Sequence, residues 1–260
     1  MYFLGTTPYC KHFLFDLLTA QCCRIFAMEK QSMRACNFVV YTAITKGYNT
    51  LLPPLPLWQR QARFVAFMEE PQPVSGWEIQ PLYRRFKDPC RNAKIHKILS
   101  HVYFPETRYS LWIDGSIFLK STMPLSSMVG AYLKRHDLAL HRNPIRNCVY
   151  QEAAFCLKYN LDRPELIIRQ IQRYFDAGYP QHNGMVECGV ILRRHTAKIQ
   201  RFNEAWYEEI KLGSRRDQLS FNYTAHQLGI KYGCLPGIIG ANPHFENVGH
   251  LRERSDPGKD

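Results

Sequence analysis

From residue 37 the chain alternates short apolar runs with segments whose apolar positions recur at helical spacing, the pattern of an α/β domain. Phe38-Val39-Val40-Tyr41-Thr42-Ala43-Ile44 is rich in β-branched and aromatic residues and is closed by the turn-forming Lys46-Gly47-Tyr48-Asn49, which predicts a buried first strand. The prolines within 53–56 predict a stiff loop, and residues 62–68 and 77–80 predict a second and a third strand. Residues 91–101 read as a helix: Arg91 and Lys94 lie three apart and share one face, while Ile95, Ile98 and Leu99 form an opposite, core-facing stripe.

The most informative stretch is 109–119, an apolar run with Asp114-Gly115-Ser116 set into its middle. Two readings stay open. In one, Asp-Gly-Ser is a turn between two short strands. In the other, a strand ends at the carboxyl edge of a sheet, where α/β proteins bind ligands, and Asp114 meets a divalent cation carrying a diphosphate.

Beyond it the spacing predicts helices over 124–135, 149–159 and 164–175, a short strand over 137–141 ending at His141 and Arg142, and a turn-rich loop over 178–184. Residues 185–192 predict a strand holding Glu187. A helix with Phe202, Trp206 and Ile210 as its buried stripe follows, and another opens at Arg215-Arg216-Asp217-Gln218. The Gly- and Pro-rich tail from Gly233 holds His244 and His250 and ends in a charged run expected to be flexible. No internal repeat is present. The expected architecture is a mixed central sheet flanked by helices, as one domain over 37–245 between an extension over 1–36 and a tail over 246–260.

Charge narrows the partners. The 34 Lys and Arg against 22 Asp and Glu give a formal charge of +12, which calls for an anionic partner. These bases are dispersed through the periodic segments, so nucleic acid is not the expected partner, whereas a phosphate-bearing substrate is. Peripheral contact with an anionic membrane suits the same charge. The nine cysteines form no Cys-x-x-Cys pair and are odd in number, which favours free thiols in a reducing compartment over a disulfide framework or zinc site. No apolar run is long enough to cross a bilayer, and Asp16 interrupts the first apolar stretch, so a cytoplasmic protein is expected, with peripheral placement at the inner membrane face as its membrane-bound form.

Taken in order, Tyr41-Thr42-Ala43-Ile44 with Gly47-Tyr48, residues 94–101, Trp112-Ile113-Asp114-Gly115, His141-Arg142, residues 149–153, 184–187 and 191–195, and Arg216-Asp217-Gln218-Leu219-Ser220-Phe221 resemble a known family. It is the glycosyltransferase-like domain shared by plant mucilage-related proteins and many bacterial proteins of polysaccharide loci, and it includes a plant protein described as an alkaline ceramidase. The resemblance spans about residues 37–230 and implies a GT-A-type fold, a nucleotide-sugar donor, a saccharide or lipid-linked acceptor in surface polysaccharide synthesis, and Mn²⁺ or Mg²⁺.

By that resemblance Thr42, Ala43, Tyr48, Arg91, Lys94, Asp114, Gly115, His141, Arg142 and Gln218 are the candidates for holding the donor. Asp114, Ser116 and His244, with His250 as an alternative to His244, are the candidate metal ligands. The chain departs from the family's Asp-x-Asp by reading Asp-Gly-Ser, so Ser116 offers only a neutral oxygen: either another residue completes the site, or metal is dispensable and Arg91 and Lys94 carry more of the charge; Asn49 stands where an acidic residue is expected. An inverting transfer needs a base for the acceptor hydroxyl, and Asp217 ranks before Glu187, with His195 and His141 as substitutes. A lipid amide hydrolase and a non-enzymatic anion-binding module are the competing functions. The hydrolase lacks support from any His-x-x-x-His or Gly-x-Ser-x-Gly arrangement.

Overall fold

A computed structural model describes residues 37–47 and 49–249. The strands are β1 (Phe38–Ile44), β2 (Arg63–Met68), β3 (Glu78–Pro81), β4 (Tyr109–Ile113), β5 (Ile117–Leu119), β6 (Leu138–Arg142), β7 (Val186–Arg194), β8 (Gly233–Cys234) and β9 (Phe245–Asn247). The helices are α1 (Pro56–Gln59), α2 (Pro89–Ile98), α3 (Ser100–Tyr103), α4 (Leu125–Tyr132), α5 (Val149–Lys158), α6 (Pro164–Asp176), α7 (Ala197–Leu212) and α8 (Asp217–Gln227).

Seven strands form a central sheet in the order β3-β2-β1-β4-β7-β6-β8. Neighbours are parallel except around β7, which runs antiparallel to β4 and β6. The carboxyl ends of β1, β2, β4, β6 and β8 therefore share one edge with the amino end of β7. Alternation along the strands separates the two faces. Phe38, Val40, Leu111, Ile113, Val190 and Leu192 pack with Trp58 of α1 and Leu125 and Met128 of α4. Each such side chain, once fully buried, contributes about 1.5–3 kcal/mol. Against the other face lie α2, which meets β1 and α7, and α8, which meets β7.

The expected mixed sheet with flanking helices is present. Three local expectations are corrected. The run 109–119 is not one strand: β4 ends at Ile113, Asp114-Gly115-Ser116 turns with Ile117 N–H donating to the Asp114 carbonyl at 2.8 Å, and β5 leaves the main sheet to pair with β9. The turn of the first reading and the carboxyl-edge placement of the second are both present, since the turn stands at the end of the central strand. The helix expected over 91–101 breaks at Leu99 (φ −87°, ψ 43°) into α2 and α3, and it starts earlier, at Pro89, behind an Asp88 cap that accepts from Cys90 N–H. The tail after Gly233 supplies β8 to the main sheet and β9 to β5. His250 and the charged run after it lie outside the described residues, as do residues 1–36.

A candidate active site at the carboxyl edge of the sheet

α2 brings its lysines to the end of β4. Arg91, Lys94 and Lys97 repeat every three residues, and because an α-helix turns every 3.6, each step rotates the side chain by about 60° around the axis. Arg91 thus points toward α7, and Lys97 toward the sheet. Lys97 is 1% exposed, and its Nζ lies 3.0 Å from Asp114 Oδ1 and 2.7 Å from Asp217 Oδ2. Lys94 Nζ reaches the same Asp217 oxygen at 2.7 Å. Trp112 Nε1 donates to Asp114 Oδ1 at 2.7 Å, which leaves Asp114 Oδ2 without a hydrogen-bond partner among the described residues. Burial pushes Asp217 up, but the charges and hydrogen bonds of Lys94 and Lys97 outweigh it and hold the carboxyl far below the usual range. Burial likewise lowers Lys97, and Asp114 and Asp217 more than restore it.

Glu187 is treated differently. It is half-buried near the amino end of β7, and burial raises its carboxyl above the ordinary value against one backbone hydrogen bond from Ile239 N–H at 3.2 Å. Its register partner on β6 is His141, which is fully buried, donates from Nδ1 to the Gly237 carbonyl at 3.3 Å, and has its proton affinity lowered by that burial. Asp114 N–H binds the Gly189 carbonyl at 2.8 Å, so Glu187 stands two residues, about 7 Å of strand, from the Asp114 turn. Close approach is built in at two glycines. A Cβ on Gly189 would lie 2.7 Å from Ile239 Cδ1 and 3.4 Å from Asp114 Oδ2, and one on Gly115 would lie 2.9 Å from Asn49 Nδ2.

At the ends of β1 and β2 a cavity of about 280 Å³ is lined by Ile44, Gly47, Asn49, Leu51, Met68 and Glu70 among others. It stands near the lower limit of ligand pockets, about 300 Å³. Glu70 supplies the carboxylate that Asn49 lacks. Of the expected donor contacts here, Ala43 is half-buried at the surface, whereas Thr42 is fully buried with its Oγ1 unpartnered among the described residues, so it faces the interior and not a ligand. Tyr48 lies outside the described residues.

Several other candidates are reassigned. Arg91 is spent on the end of α7, donating to the carbonyls of Ile210 and, at 2.7 Å, Gly213, with Asp88 and Asp162 as ionic neighbours. It satisfies orphan carbonyls at a helix terminus, away from the Asp114 turn. Asp217, ranked first as base, is locked by two lysines and is a poor proton acceptor. Gln218 donates to the Val186 carbonyl at 3.2 Å and accepts from Arg216 Nη2 at 3.1 Å, tying α8 to β7. His195 binds Ser110 Oγ at 2.8 Å beside the start of β4, at the opposite end of that strand from Asp114. His244 does not join Asp114 and Ser116: its two ring nitrogens face Ser121 Oγ at 2.9 Å and Tyr132 OH at 2.6 Å, at the far end of the β5–β9 ribbon. Ser116 is held in the turn, its carbonyl accepting from Val248 N–H at 2.9 Å. Arg142 is exposed and opens onto a separate, broader pocket. Among the described residues no three His, Cys, Asp or Glu side chains converge as a metal-binding group, and no helix is long and apolar enough to cross a membrane.

Lys97 and Glu70 were not among the sequence candidates. The signal for Lys97 was the continuation of the Arg91–Lys94 spacing by one more step.

A mixed sheet whose central strand ends in a carboxylate turn, beside a cavity at the neighbouring strand ends, defines an α/β ligand-binding domain with its site at the carboxyl edge. Residues 66–235 match the model of the family described as TOD1/MUCI70, glycosyltransferase-like domain, and the chain belongs to that family. It is 27% identical over 175 residues to the probable hexosyltransferase MUCI70 of Arabidopsis thaliana, covering 61% of this chain and 29% of that protein. It is 22% identical over 237 residues to the alkaline ceramidase TOD1 of the same plant, covering 78% of this chain and 51% of that protein. The chain thus spans about a third and about half of these relatives. A solved apo structure of the bifunctional glycosyltransferase WbbM aligns at 8% identity with a TM-score of 0.46, covering 80% of this chain and 40% of that one.

Proposed function

We propose that the protein transfers a sugar from a nucleotide-sugar donor to a saccharide or lipid-linked acceptor, within a glycosyltransferase-like domain. The observation that carries this is the Asp114 turn: one carboxylate oxygen is fixed by Lys97 and Trp112, the other has no hydrogen-bond partner among the described residues, and the whole group stands at the carboxyl edge of the central strand.

The donor's nucleoside would occupy the cavity at the ends of β1 and β2, with Glu70 and Asn49 as its polar contacts. Its diphosphate would lie toward Asp114. A Mn²⁺ or Mg²⁺ ion suits this site in the mode where one carboxylate and the substrate's phosphates supply the ligands; Asp114 Oδ2 would hold it. When bound it offsets the charge that develops on the departing diphosphate. Lys97 fixes the rotamer of Asp114, and Lys94 and Lys97 set the local charge, whereas Asp217 holds those two lysines in place. Glu187 is the base for an inverting displacement: its raised affinity for a proton, at a half-buried position near Asp114, suits removal of the acceptor hydroxyl's proton. Work at the cytoplasmic membrane face, on acceptors carried there, accords with the charge of +12.

The test is a thermal-shift screen of UDP, GDP, CDP and TDP sugars, with and without Mn²⁺, on the wild type and Asp114→Ala. A ligand at about 100 times its dissociation constant adds about 2.7 kcal/mol to the folded state. A shift for one nucleotide that Asp114→Ala abolishes supports the reading, and no shift with any of them sinks it. Because one relative is described as an alkaline ceramidase, fatty-acid release from ceramide is assayed in the same preparations. Release without nucleotide binding would replace transfer by hydrolysis.

A further inference from the structure

A broad cavity stands apart from Asp114. About 800 Å³ in volume, it opens beside the carboxyl ends of β6 and β8, between the loop before β7 and the segment that follows α8. Arg142, Arg146, Lys231, His136, His182 and His226 line it, and no aspartate or glutamate does. Arg146 is already neutralised, with Nε 2.6 Å from the buried Glu152. Arg142 has only its Nε engaged, at 3.0 Å from Cys234 Sγ, and neither it nor Lys231 has a carboxylate partner among the described residues. Two unpaired cations facing a common concavity raise the local potential for an anion.

A second, independent feature concerns hydrogen bonding. Asn222 lines the same pocket, is 3% exposed, and donates through Nδ2 to Tyr232 OH at 2.6 Å. Its Oδ1 is buried with no partner among the described residues. A buried acceptor left without a donor is costly, so this position calls for a donor from whatever fills the pocket. A sugar hydroxyl supplies one, whereas a fully ionised phosphate has none to give.

The pocket also adjoins the proposed base. Arg142 pairs in register with Val186, the residue before Glu187, and Gly184 and Met185 of the pocket wall lead directly into β7. We propose that this pocket binds the acceptor and that the acceptor is an acidic saccharide, its anionic group held by Arg142 and Lys231 and a hydroxyl donating to Asn222 Oδ1. This rests on the transfer reading only for the word acceptor. The binding chemistry stands on the pocket itself.

Isothermal titration calorimetry with a glucuronic-acid-containing trisaccharide, its carboxyl-reduced neutral counterpart and inorganic pyrophosphate tests it on the full chain. The acidic trisaccharide should bind the wild type, weaken as salt is raised, and bind the Arg142→Gln/Lys231→Gln variant about tenfold or more weakly. Asn222→Leu should weaken the acidic trisaccharide and leave pyrophosphate unchanged. Equal binding of the neutral trisaccharide, or undiminished binding of the acidic one in the double variant, overturns the proposal. Pyrophosphate bound in its stead, and lost in the same double variant, also overturns it and assigns the cations to a phosphate carrier. Nucleotide shifts measured alongside keep the two readings separable: their loss in Arg142→Gln alone would return that arginine to the donor and overturn the pocket's assignment. Acidic-trisaccharide binding without any nucleotide shift would leave the pocket standing and remove the transferase.

Discussion

Asp217 at the start of α8 and Glu187 near the start of β7 are both carboxylates in the second half of the chain, and the protein sets them to opposite tasks. Asp217 lies in a closed cleft between α2 and α8, where the lysine nitrogens of Lys94 and Lys97, both from α2, each stand 2.7 Å from its Oδ2. Glu187 stands at the open sheet edge with, among the described residues, one backbone donor and no cation as hydrogen-bond or ion-pair partner. Counter-charge in one place and desolvation in the other push the two proton affinities apart. That separation distinguishes a group that holds a site together from one that can take a proton. It also weighs against Asp217 as the base, because position on an element does not reveal what faces it.

The sharpest way to break the comparison is Glu187→Gln. If Glu187 is the base, kcat falls by a factor of about 10²–10⁴ while the protein stays folded. Single-turnover kinetics with the donor found in the nucleotide screen reads this, and an unchanged rate would hand the proton to another group or to a retaining mechanism.

Lys97→Met comes next, with its effect on stability. Removing one member of a buried ion pair costs about 3–5 kcal/mol where the charge left behind is uncompensated, and Lys94 on the same Asp217 oxygen holds the loss to the lower end of that range. Lys97 at 1% exposure beside Asp217 at 7% is such a pair. Urea unfolding measures it, and a loss under about 1 kcal/mol, the range of exposed pairs, would show that the cleft is hydrated and the comparison misplaced.

Smaller, but opposite in sign at the two sites, is the dependence on pH. Asp217 has its folded affinity for protons lowered, so its contribution is present above the unfolded carboxylate range, about pH 4, and is lost as pH falls toward the folded value. Lys97, raised in the folded state, contributes below the unfolded lysine value, about 10.4, and that contribution is lost as pH rises toward its folded value. Glu187, also raised, is most favourable to folding below about pH 4.3 and opposes folding as pH rises through its folded value. Glu187→Gln should therefore be more stable than wild type at pH 7 and indistinguishable from it near pH 3. Chemical denaturation across that range checks the sign, and equal stability at both ends would mean that Glu187 is not desolvated. A gain in stability with a loss in rate is the signature of a functional group kept at a cost to the fold.

Much of this arrangement is written in the sequence, and the part that is not has a physical reason. Asp114 and Glu187 are legible because a carboxylate inside an apolar run needs a purpose. The principal strands are legible because buried runs of Val, Ile, Phe and Tyr stand out against their flanks. β8 and β9 are two and three residues long, too short to show a period, so the tail reads as irregular although it pairs with both sheets. Arg91 and Lys97 have identical local credentials, and only the packing of α7 against α2 decides that one caps a helix while the other enters the site. The basic pocket gathers Arg142, His182, His226 and Lys231 from separate elements, so no window of sequence contains it.

The smallest test concerns the space between the two regions. Gly189 sits between Glu187 and the Asp114 turn, and its backbone carbonyl receives the Asp114 N–H. A methyl group there would meet Ile239 Cδ1 at 2.7 Å and Ile117 Cδ1 at 2.9 Å, both the far ends of flexible side chains, and Asp114 Oδ2 at ordinary contact distance, 3.4 Å. The fold should accommodate Gly189→Ala for about 1–3 kcal/mol, the usual cost of overpacking. The displaced Ile239 carries the N–H that binds Glu187, so the variant should disturb the base more than the lysine cleft. The expected result is a modest fall in melting temperature with a shift in the pH profile of kcat and little change in nucleotide affinity. Loss of nucleotide binding with an unmoved pH profile would place Gly189 in the service of Asp114 and join the two regions into one.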